Sequence, residues 1–353
     1  MKSRLFGRSD GMICNNLSGI AIAGNILVDI VNVIDKYPQK NMLCNICTSK
    51  KAVGGCVCNT IIDLAKMDSD IPLMALGKVG NDEYGDYSID VMRKYGVNIE
   101  NIVRTAHFDT SYTQVMTEKI SGERTFFCYK GANSDFGLED INVESVNCRM
   151  FHAGYILLLD KFDESDSLYG TKMARLLHNI QSKGIKTSID VVSEENNRFA
   201  EKILPAAKYC DYVFMNEIEC CKVFGLKARN SDGMLNIENI KFAMSELFVN
   251  GVREKVVIHS AEGGFAMNKS GEFTAVGSLV LPEDWIFGSV GAGDAYTAAC
   301  LYGIYCGYDD KKMLEFAAAA AACNLSAENS IDGMKSKAEI EEINKKFNRR
   351  VIF

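Results

Sequence analysis

The chain has 353 residues, of which 47% are hydrophobic and 24% are charged, a composition typical of a globular protein that buries a sizeable core. Its 39 basic and 46 acidic residues give a net charge of −7, which disfavours nucleic acid and anionic membrane surfaces as partners. At roughly 150 residues per domain, this length allows two domains or one large α/β domain with an insertion.

The first residues, MKSRLFGRSDG, are polar and lack the apolar core of a secretion signal. We therefore predict a flexible lead-in over residues 1–18 and a cytosolic location. The apolar run over 20–34 is interrupted by Asn25 and Asp29, and no stretch reaches the roughly 18 apolar residues that a membrane helix needs.

Four of the 13 cysteines lie close together, as a C-x-x-C followed by a C-x-C. These are Cys44, Cys47, Cys56 and Cys58. Four thiolates can hold a zinc ion, but the second pair overlaps a Gly-Gly segment described below. We expect reduced thiols in loops or in the core rather than a zinc site.

The first third of the chain predicts strand, helix and strand. Ile20–Val31 is apolar and predicts a buried strand, Val57–Met67 has helical spacing, and Leu73–Val79 predicts another strand. Tyr84–Tyr95 then predicts an amphipathic helix. Residues Thr110–Tyr129 alternate around Ser121-Gly122, which predicts a β-hairpin.

Strands and helices alternate again in the rest of the chain. Strands are predicted at Arg149–Leu159, Lys186–Val192, Tyr212–Met215, Lys255–His259 and Gly264–Met267, and helices at Leu168–Lys183, 216–224, Ala292–Tyr305 and Lys311–Ser326. Repeated βα units indicate a parallel sheet covered on both faces. The segments near 35–55 and 107–130 fit poorly into such a sheet, so we expect them to form a small β lid.

The segment 288–296, GSVGAGDAY, carries the strongest chemical signal. Gly291 and Gly293 leave the backbone room to approach a ligand, and the N–H groups of Ala292, Gly293 and Asp294 would face an anion at the helix start. A carboxylate beside such an anion site suits a base that deprotonates a hydroxyl attacking a phosphoryl group. A plain helix cap is the alternative role for Asp294.

This G-A-G-D segment resembles the second signature of the ribokinase/PfkB-type carbohydrate kinases. Further motifs resemble the same family in chain order: Gly24-Asn25 with Asp29, Gly54-Gly55 with Asn59, Gly77–Asp82 with Gly85, Asn216 with Glu219, and Ser260 with Glu262, Gly263 and Gly264. The resemblance runs from about residue 19 to 335. It implies a three-layer α/β sandwich over 19–353, with a mostly parallel central sheet and a small β-sheet lid.

The resemblance also implies transfer of the ATP γ-phosphoryl group to a hydroxyl of a small sugar. Asp294 would be the base, and the amides of Gly291, Ala292 and Gly293 would hold the phosphoryl oxygens. The acceptor-binding residues would be Asn25, Asp29, Gly54, Gly55 and Asn59. The nucleotide side would use Asn216, Glu219, Ser260, Glu262, Gly263 and Gly264, with Glu219 placing Mg²⁺ through water. Relatives often pair through the lid, so we expect a homodimer.

The residue types fit these roles, but each has a structural alternative. A carboxylate such as Asp29 in an apolar strand needs donors, which sugar hydroxyls supply, although it can also cap a turn. Asn59 lies one helical turn beyond Gly55, yet it can be an ordinary exposed helix residue. Asn216 and Glu219 can form a capping box instead of a metal site. Gly77–Gly80 fits a turn between core elements better than a substrate contact.

Several positions depart from the family pattern. Gly288 and Ser289 replace the usual Asp-Thr, whose Asp helps to form a monovalent-cation site, so activation by K⁺ is in doubt. Asn329 stands where Gly is common, and Tyr296 replaces a Phe. The histidines show no ligand spacing and are interpreted as structural: His107, His152, His178 and His259.

Three other functions stay open at this stage. A nucleoside presents a ribose hydroxyl to the same base, so a nucleoside kinase is one alternative. The altered Gly288-Ser289 supports a non-catalytic sensor of sugar or nucleotide. A dinucleotide-binding oxidoreductase is the third alternative, but the sequence lacks the G-x-G-x-x-G motif expected after the first strand. Arg124 in the hairpin would favour an anionic acceptor, unless it is a solvated side chain.

Overall fold

The computed structural model describes residues 17–193 and 198–352. The lead-in predicted over 1–18 lies outside this part of the chain, except for its last two residues. Within the described ranges, no helix has the length and apolar content required to cross a bilayer.

The strands are numbered along the chain and fall into three sheets. They are β1 Ile20–Ala23, β2 Leu27–Ile34, β3 Ile46–Gly54, β4 Leu73–Gly80, β5 Asn98–Thr105, β6 Ser111–Glu118, β7 Arg124–Tyr129, β8 Met150–Ile156, β9 Ser165–Asp166, β10 Gly170–Thr171, β11 Lys186–Val191, β12 Tyr212–Asn216, β13 Lys255–His259, β14 Gly263–Asn268 and β15 Phe273–Gly277.

The helices are numbered in the same way and supply the outer layers. They are α1 Gly55–Met67, α2 Glu83–Lys94, α3 Gly131–Ser134, α4 Asp160–Asp163, α5 Lys172–Gln181, α6 Phe199–Ala207, α7 Glu217–Val223, α8 Ile237–Val249, α9 Ala292–Tyr305, α10 Asp310–Asn324 and α11 Lys337–Lys346. Three short 3₁₀ turns lie at Leu138–Asp140, Val143–Ser145 and Glu283–Trp285.

The large sheet has nine strands in the order β15-β14-β13-β12-β11-β8-β1-β4-β5. Its strands are parallel from β5 to β13, whereas β14 runs antiparallel to both of its neighbours, β13 and β15. Two apolar clusters form the core; one holds β1 residues Ile20 and Ile22, and the other holds Ala21 and Ala23. Since alternate strand residues face opposite sides of a sheet, the core has two layers, and the predicted three-layer sandwich is confirmed.

The small sheet, which we call the lid, has the order β3-β2-β6-β7. Strands β2 and β6 are parallel, whereas the two outer pairs are antiparallel. The predicted hairpin is confirmed, because β6 and β7 pair around Gly122. The lid thus takes strands from the two segments predicted for it and also from residues before 35.

The prediction of one buried strand over Ile20–Val31 was wrong. The chain leaves the large sheet after Ala23 and enters the lid at Leu27, so Asp29 lies within a lid strand. The break is held by Asn133, whose Oδ1 accepts a hydrogen bond from the Ile26 amide at 3.1 Å. An apolar run carries no information about such a partner, which lies far along the chain.

The glycine-rich segment Gly77–Asp82 joins the lid to the body. Gly77 and Gly80 belong to β4, so the turn expected there begins only after Gly80. Asp82 caps α2 by accepting from Gly85 N, and it accepts from Thr110 N immediately before the lid strand β6. Gly77–Gly80 is therefore part of a strand rather than the expected turn, and Asp82 in the turn after it connects α2 to the lid.

Candidate active site

Three neighbouring cavities surround the start of α9, close to the carboxyl ends of the parallel strands. The central cavity, of about 260 Å³, is lined mainly by Tyr155, Asp190, Ser193, Asn216, Glu219, His259, Gly291, Gly293, Asp294 and Thr297. The distal cavity, of about 360 Å³, is lined mainly by His259, Ser260, Gly263, Leu279, Leu281, Ile286, Ser289, Ala292, Gly293, Tyr296, Ala322 and Arg350. The lid cavity, of about 50 Å³, is lined by Asp29, Val31, Ala52, Val115, Arg124, Phe126, Val290, Glu328, Asn329 and Ser330.

Asp294 lies in the first turn of α9 and is only 6% exposed. Its carboxylate accepts hydrogen bonds from Asn59 Nδ2 at 2.8 Å and from the Tyr155 hydroxyl at 2.9 and 2.8 Å. Burial, and then the nearby charge of Asp190, raise the pKa of Asp294 to about 6, against the lowering effect of those hydrogen bonds. A carboxyl group with this pKa is ionised at neutral pH and can accept a proton.

The start of α9 depends on a glycine in the left-handed region. Gly291 has φ +79°, and a Cβ there would lie 2.5 Å from Cβ of Ser330. Ser330 in turn donates to Asn59 Oδ1 at 2.7 Å, and Asn59 holds Asp294. The turn before α9 and the Asp294 carboxylate are therefore coupled through two buried side chains, those of Ser330 and Asn59.

Asn216 and Glu219 form the capping box that the sequence offered as one of their two roles. They form a reciprocal capping box at the start of α7, with Glu219 N donating to Asn216 Oδ1 at 2.8 Å. Both also line the central cavity, and Ser193 Oγ donates to Glu219 Oε1 at 2.7 Å. Burial raises the pKa of Glu219 to about 7.

Sequence reasoning missed three residues of the central cavity: Tyr155, Asp190 and His259. Each lies at the end of a parallel strand, and His259 lines both the central and the distal cavity instead of being purely structural. Burial lowers the pKa of His259 to about 4, so it is a neutral ring at physiological pH. Asp190 carried a usable signal, since a carboxylate near the end of an apolar strand is costly without a role.

The residues predicted for acceptor binding converge near β2 and α1. A Cβ on Gly54 would lie 2.3 Å from Asp29 Oδ2, so this glycine makes room for the carboxylate. Burial raises the pKa of Asp29 to about 6, against a hydrogen bond from Thr113. The buried Oδ1 of Asn25 has no hydrogen-bond partner within the described residues. Gly55 opens α1, where a Cβ would lie 2.5 Å from the Asn25 carbonyl oxygen.

Arg124 lines the lid cavity from β7, and Asp29 lines it from β2. Strand register places the two side chains on the same face of the lid. Glu328, which also lines this cavity, pairs with Lys50 at 2.5 Å. Arg124 itself has no ion pair or hydrogen bond with any side chain that the structure describes. A half-buried guanidinium without a partner is suited to an anionic ligand group.

The four residues of the 260–264 turn that were predicted for nucleotide binding separate into two pairs. Ser260 and Gly263 line the distal cavity. Glu262 instead pairs with Arg229 at 2.7 Å. Gly264 packs so closely on the Tyr296 hydroxyl that a Cβ there would lie 1.8 Å from it.

The cysteines of the sequence cluster lie on two different elements. Cys56 and Cys58 are buried in the first turns of α1. Cys47 is exposed on β3, and Cys44 precedes that strand.

Comparison with known proteins matches residues 19–337 to the model of the pfkB family carbohydrate kinases. The 5-dehydro-2-deoxygluconokinase of Listeria innocua is 24% identical over 337 residues, covering 91% of this chain and 94% of its own. The ribokinase of Schizosaccharomyces pombe is 23% identical over 296 residues, covering 82% and 85%.

Solved structures of low identity share the fold. Arabidopsis thaliana ribokinase, complexed with ribose and ATP, has a TM-score of 0.77 at 18% identity and covers 93% of this chain and 99% of its own. The Methanocaldococcus jannaschii nucleoside kinase has a TM-score of 0.72 at 18% identity, covering 94% and 99%.

Proposed function

We propose, from the premise that the chain belongs to the pfkB family of carbohydrate kinases, that it transfers the γ-phosphoryl group of ATP to a hydroxyl of a small sugar. One observation carries this proposal: residues 289–294 border all three cavities, with Asp294 buried at their end. A base at that junction lies between a cavity suited to a nucleotide and a cavity suited to an acceptor.

The proposed reaction needs one base and one set of fixed donors. Asp294 takes the proton of the acceptor hydroxyl as its oxygen bonds to the γ-phosphorus, while the bond from that phosphorus to the ADP oxygen breaks. The amides of Ala292 and Gly293, at the positive end of the α9 dipole, stabilise the charge on the phosphoryl oxygens.

The donor set in the central cavity fits Mg²⁺, which prefers carboxylate and amide oxygens and keeps several waters. Glu219 is 5% exposed, Asp190 is 6% exposed, and both face this cavity together with Asn216. Mg²⁺ bound there would neutralise charge on the phosphates. The distal cavity, with apolar walls and the hydroxyl of Ser260, fits the nucleoside part of ATP.

For the acceptor, we propose a sugar that carries an anionic group. Asp29 would accept from its hydroxyls, and the unpartnered Arg124 would pair with its carboxylate. The names of the relatives agree with this class, because gluconate is a sugar acid. The preference for an acceptor can be measured as ADP release with pairs of compounds that differ in charge, such as D-gluconate and D-glucose. Nucleosides are tested in the same assay. The sugar acid should have the highest kcat/KM.

Replacement of the base tests the proposed chemistry. Asp294→Asn should lower kcat by about 10²–10⁴-fold, the usual contribution of a general base, and leave ATP binding and Tm nearly unchanged. The control is Asp211→Asn, which also removes a buried carboxylate. Asp211 immediately precedes β12, at the end of the strand away from the cavity, and its carboxylate accepts a hydrogen bond from Thr187 N at 2.9 Å. That variant should have a lower Tm than the wild type but the same kcat.

Two outcomes contradict the proposal. If Asp294→Asn lowers Tm as much as Asp211→Asn does, and the loss of kcat follows the loss of folded protein, the role of Asp294 is structural. Absence of ADP release from the wild-type protein with every acceptor would instead favour a sensor that binds sugar or nucleotide without catalysis.

A further inference from the structure

We propose that Tyr155 is a positioning residue for phosphoryl transfer: its hydroxyl orients the Asp294 carboxylate and stabilises the ionised form. This inference rests on the proposed function, because it assigns Tyr155 to the base of that reaction. Tyr155 belongs to none of the sequence motifs described above.

The contact between Tyr155 and Asp294 is unusually complete. The phenol oxygen lies 2.9 Å from Oδ1 and 2.8 Å from Oδ2, so one hydroxyl bridges both carboxylate oxygens. Asn59 Nδ2 is the other side-chain donor to this carboxylate among the described residues. Loss of Tyr155 Oη would leave Oδ1 without a side-chain donor.

The backbone of Tyr155 is held in a conformation that non-glycine residues rarely adopt. Its φ is +59°, at the end of β8, where the chain leaves the large sheet. The Tyr155 amide donates to Asp190 Oδ1 at 2.5 Å. Strained residues persist only where their surroundings fix them, and they concentrate at functional sites. Here the strained residue carries the ring that faces the base across the central cavity.

The chemistry of the phenol suits a permanent donor. Burial and the charge of Asp294 raise the pKa of Tyr155 well above its usual value, so the hydroxyl keeps its proton throughout catalysis. A neutral donor stabilises the carboxylate and not the carboxylic acid, which opposes the effect of burial on Asp294. The proton from the acceptor therefore goes to Asp294, and Tyr155 neither gains nor loses one.

Other charged and titratable groups also surround Asp294 and act on its ionisation. They are Asp190 on β11, His152 on β8, Cys56 and Asp63 on α1, Glu219 on α7 and His259 on β13. The negative charges among them, that of Asp190 first, disfavour ionisation of Asp294. Tyr155 and Asn59 are the neutral donors that counter them.

The test is the pH profile of Tyr155→Phe, which removes one oxygen and keeps the ring. The acid limb of kcat/KM, near pH 6 in the wild type, should move up by about one pH unit, as expected for the loss of a hydrogen bond to a charged group. At pH 6 the value of kcat should fall about 5-fold, because the ionised fraction of Asp294 drops from about one half to about one tenth, and KM for the acceptor should change less.

The matched control is Tyr212→Phe. Its hydroxyl also donates to a carboxylate, that of Glu254 at 2.7 Å, but Tyr212 is the first residue of β12, whereas the cavity lies at the other end of that strand. This control should leave the acid limb in place. The position of the limb does not depend on how much enzyme is folded, so partial unfolding of either variant does not obscure the result.

An acid limb that stays at the wild-type pH in Tyr155→Phe would overturn this inference, as would an equal loss of kcat at every pH. Either result, with Asp294→Asn still inactive, leaves the proposed function intact. Absence of kinase activity in the wild-type protein would contradict the proposed function itself.

Discussion

At the scale of single residues, Asp63 is a buried carboxyl group without a hydrogen-bond partner in the described part of the molecule. It lies in the middle of α1 with an exposed fraction of 0%, and neither carboxylate oxygen has a hydrogen-bond partner within the described residues. Burial, followed by the charge of Asp294, raises its pKa well above the usual value. The folded protein therefore keeps the Asp63 proton to a higher pH than the unfolded chain does.

This burial predicts a stability that falls with rising pH. The unfolded chain releases the Asp63 proton above about pH 4, whereas the folded chain keeps it, so the free energy of unfolding drops as the pH rises toward the folded-state pKa. Asp63→Asn removes this titration. We expect its Tm to match the wild type near pH 4 and to exceed it by ~2 °C or more at pH 8, measured by circular dichroism.

The control for Asp63 is the exposed Asp70, in the loop after the same helix. Asp70→Asn should leave the difference in Tm between pH 4 and pH 8 as it is in the wild type. A pH dependence that is the same in Asp63→Asn and in the wild type would show that this carboxyl is solvated or paired.

Residue roles were predictable from the sequence only where a local pattern carried them. Asp294 and Asn59 were found because G-A-G-D and G-G-x-x-x-N set their positions on helix starts, and they proved to be hydrogen-bonded partners. Ser330 and Tyr155 had no such pattern. Their contacts with this pair join residues 271 and 139 positions apart, and no local spacing encodes a contact of that range.

At the scale of elements, Gly291, which lies immediately before α9, links backbone geometry to the position of Asp294. Ala at position 291 would adopt a positive φ at a cost of about 1 kcal/mol and would also press on Ser330, which holds Asn59. We expect Gly291→Ala to lower both Tm and kcat, with a loss of ~10-fold or more in kcat, since small displacements of reacting groups are expensive.

The other end of α9 offers a matched control. Gly307 has φ +75°, and a Cβ there would meet nothing within 4 Å. Gly307→Ala should therefore carry the same backbone cost and lower Tm, while kcat measured at saturating substrates stays at the wild-type value. If both variants lose kcat equally, the coupling through Ser330 does not exist.

Elements were predicted well where periodicity was strong, as for α2 and the β6–β7 hairpin. The split of β1 from β2 was not predicted, because Ile20–Val31 is mostly apolar while its two halves belong to different sheets. Strand β2 pairs in parallel with β6, whose residues lie more than 80 positions later. Parallel pairing over that separation leaves no turn signal between the strands.

At the scale of the whole molecule, the lid leaves apolar surface uncovered. Phe127 is 53% exposed and Tyr129 is 38% exposed, both on the edge strand β7. An exposed edge with large apolar side chains favours pairing with another chain. We therefore propose the homodimer through the lid that the family resemblance implies.

A charge on this edge should separate the two subunits. Phe127 lies on the lid face opposite to Asp29, so Phe127→Lys places an ammonium group in the proposed interface without reaching the lid cavity. Sedimentation should give the wild type a mass of twice 39.0 kDa and the variant a mass of 39.0 kDa. Phe242→Lys is the control, because Phe242 is 54% exposed on α8, outside the lid. This control should leave the dimer intact.

A wild-type protein that sediments as a single chain at micromolar concentration contradicts the proposed dimer. Dissociation by both variants would locate the interface elsewhere.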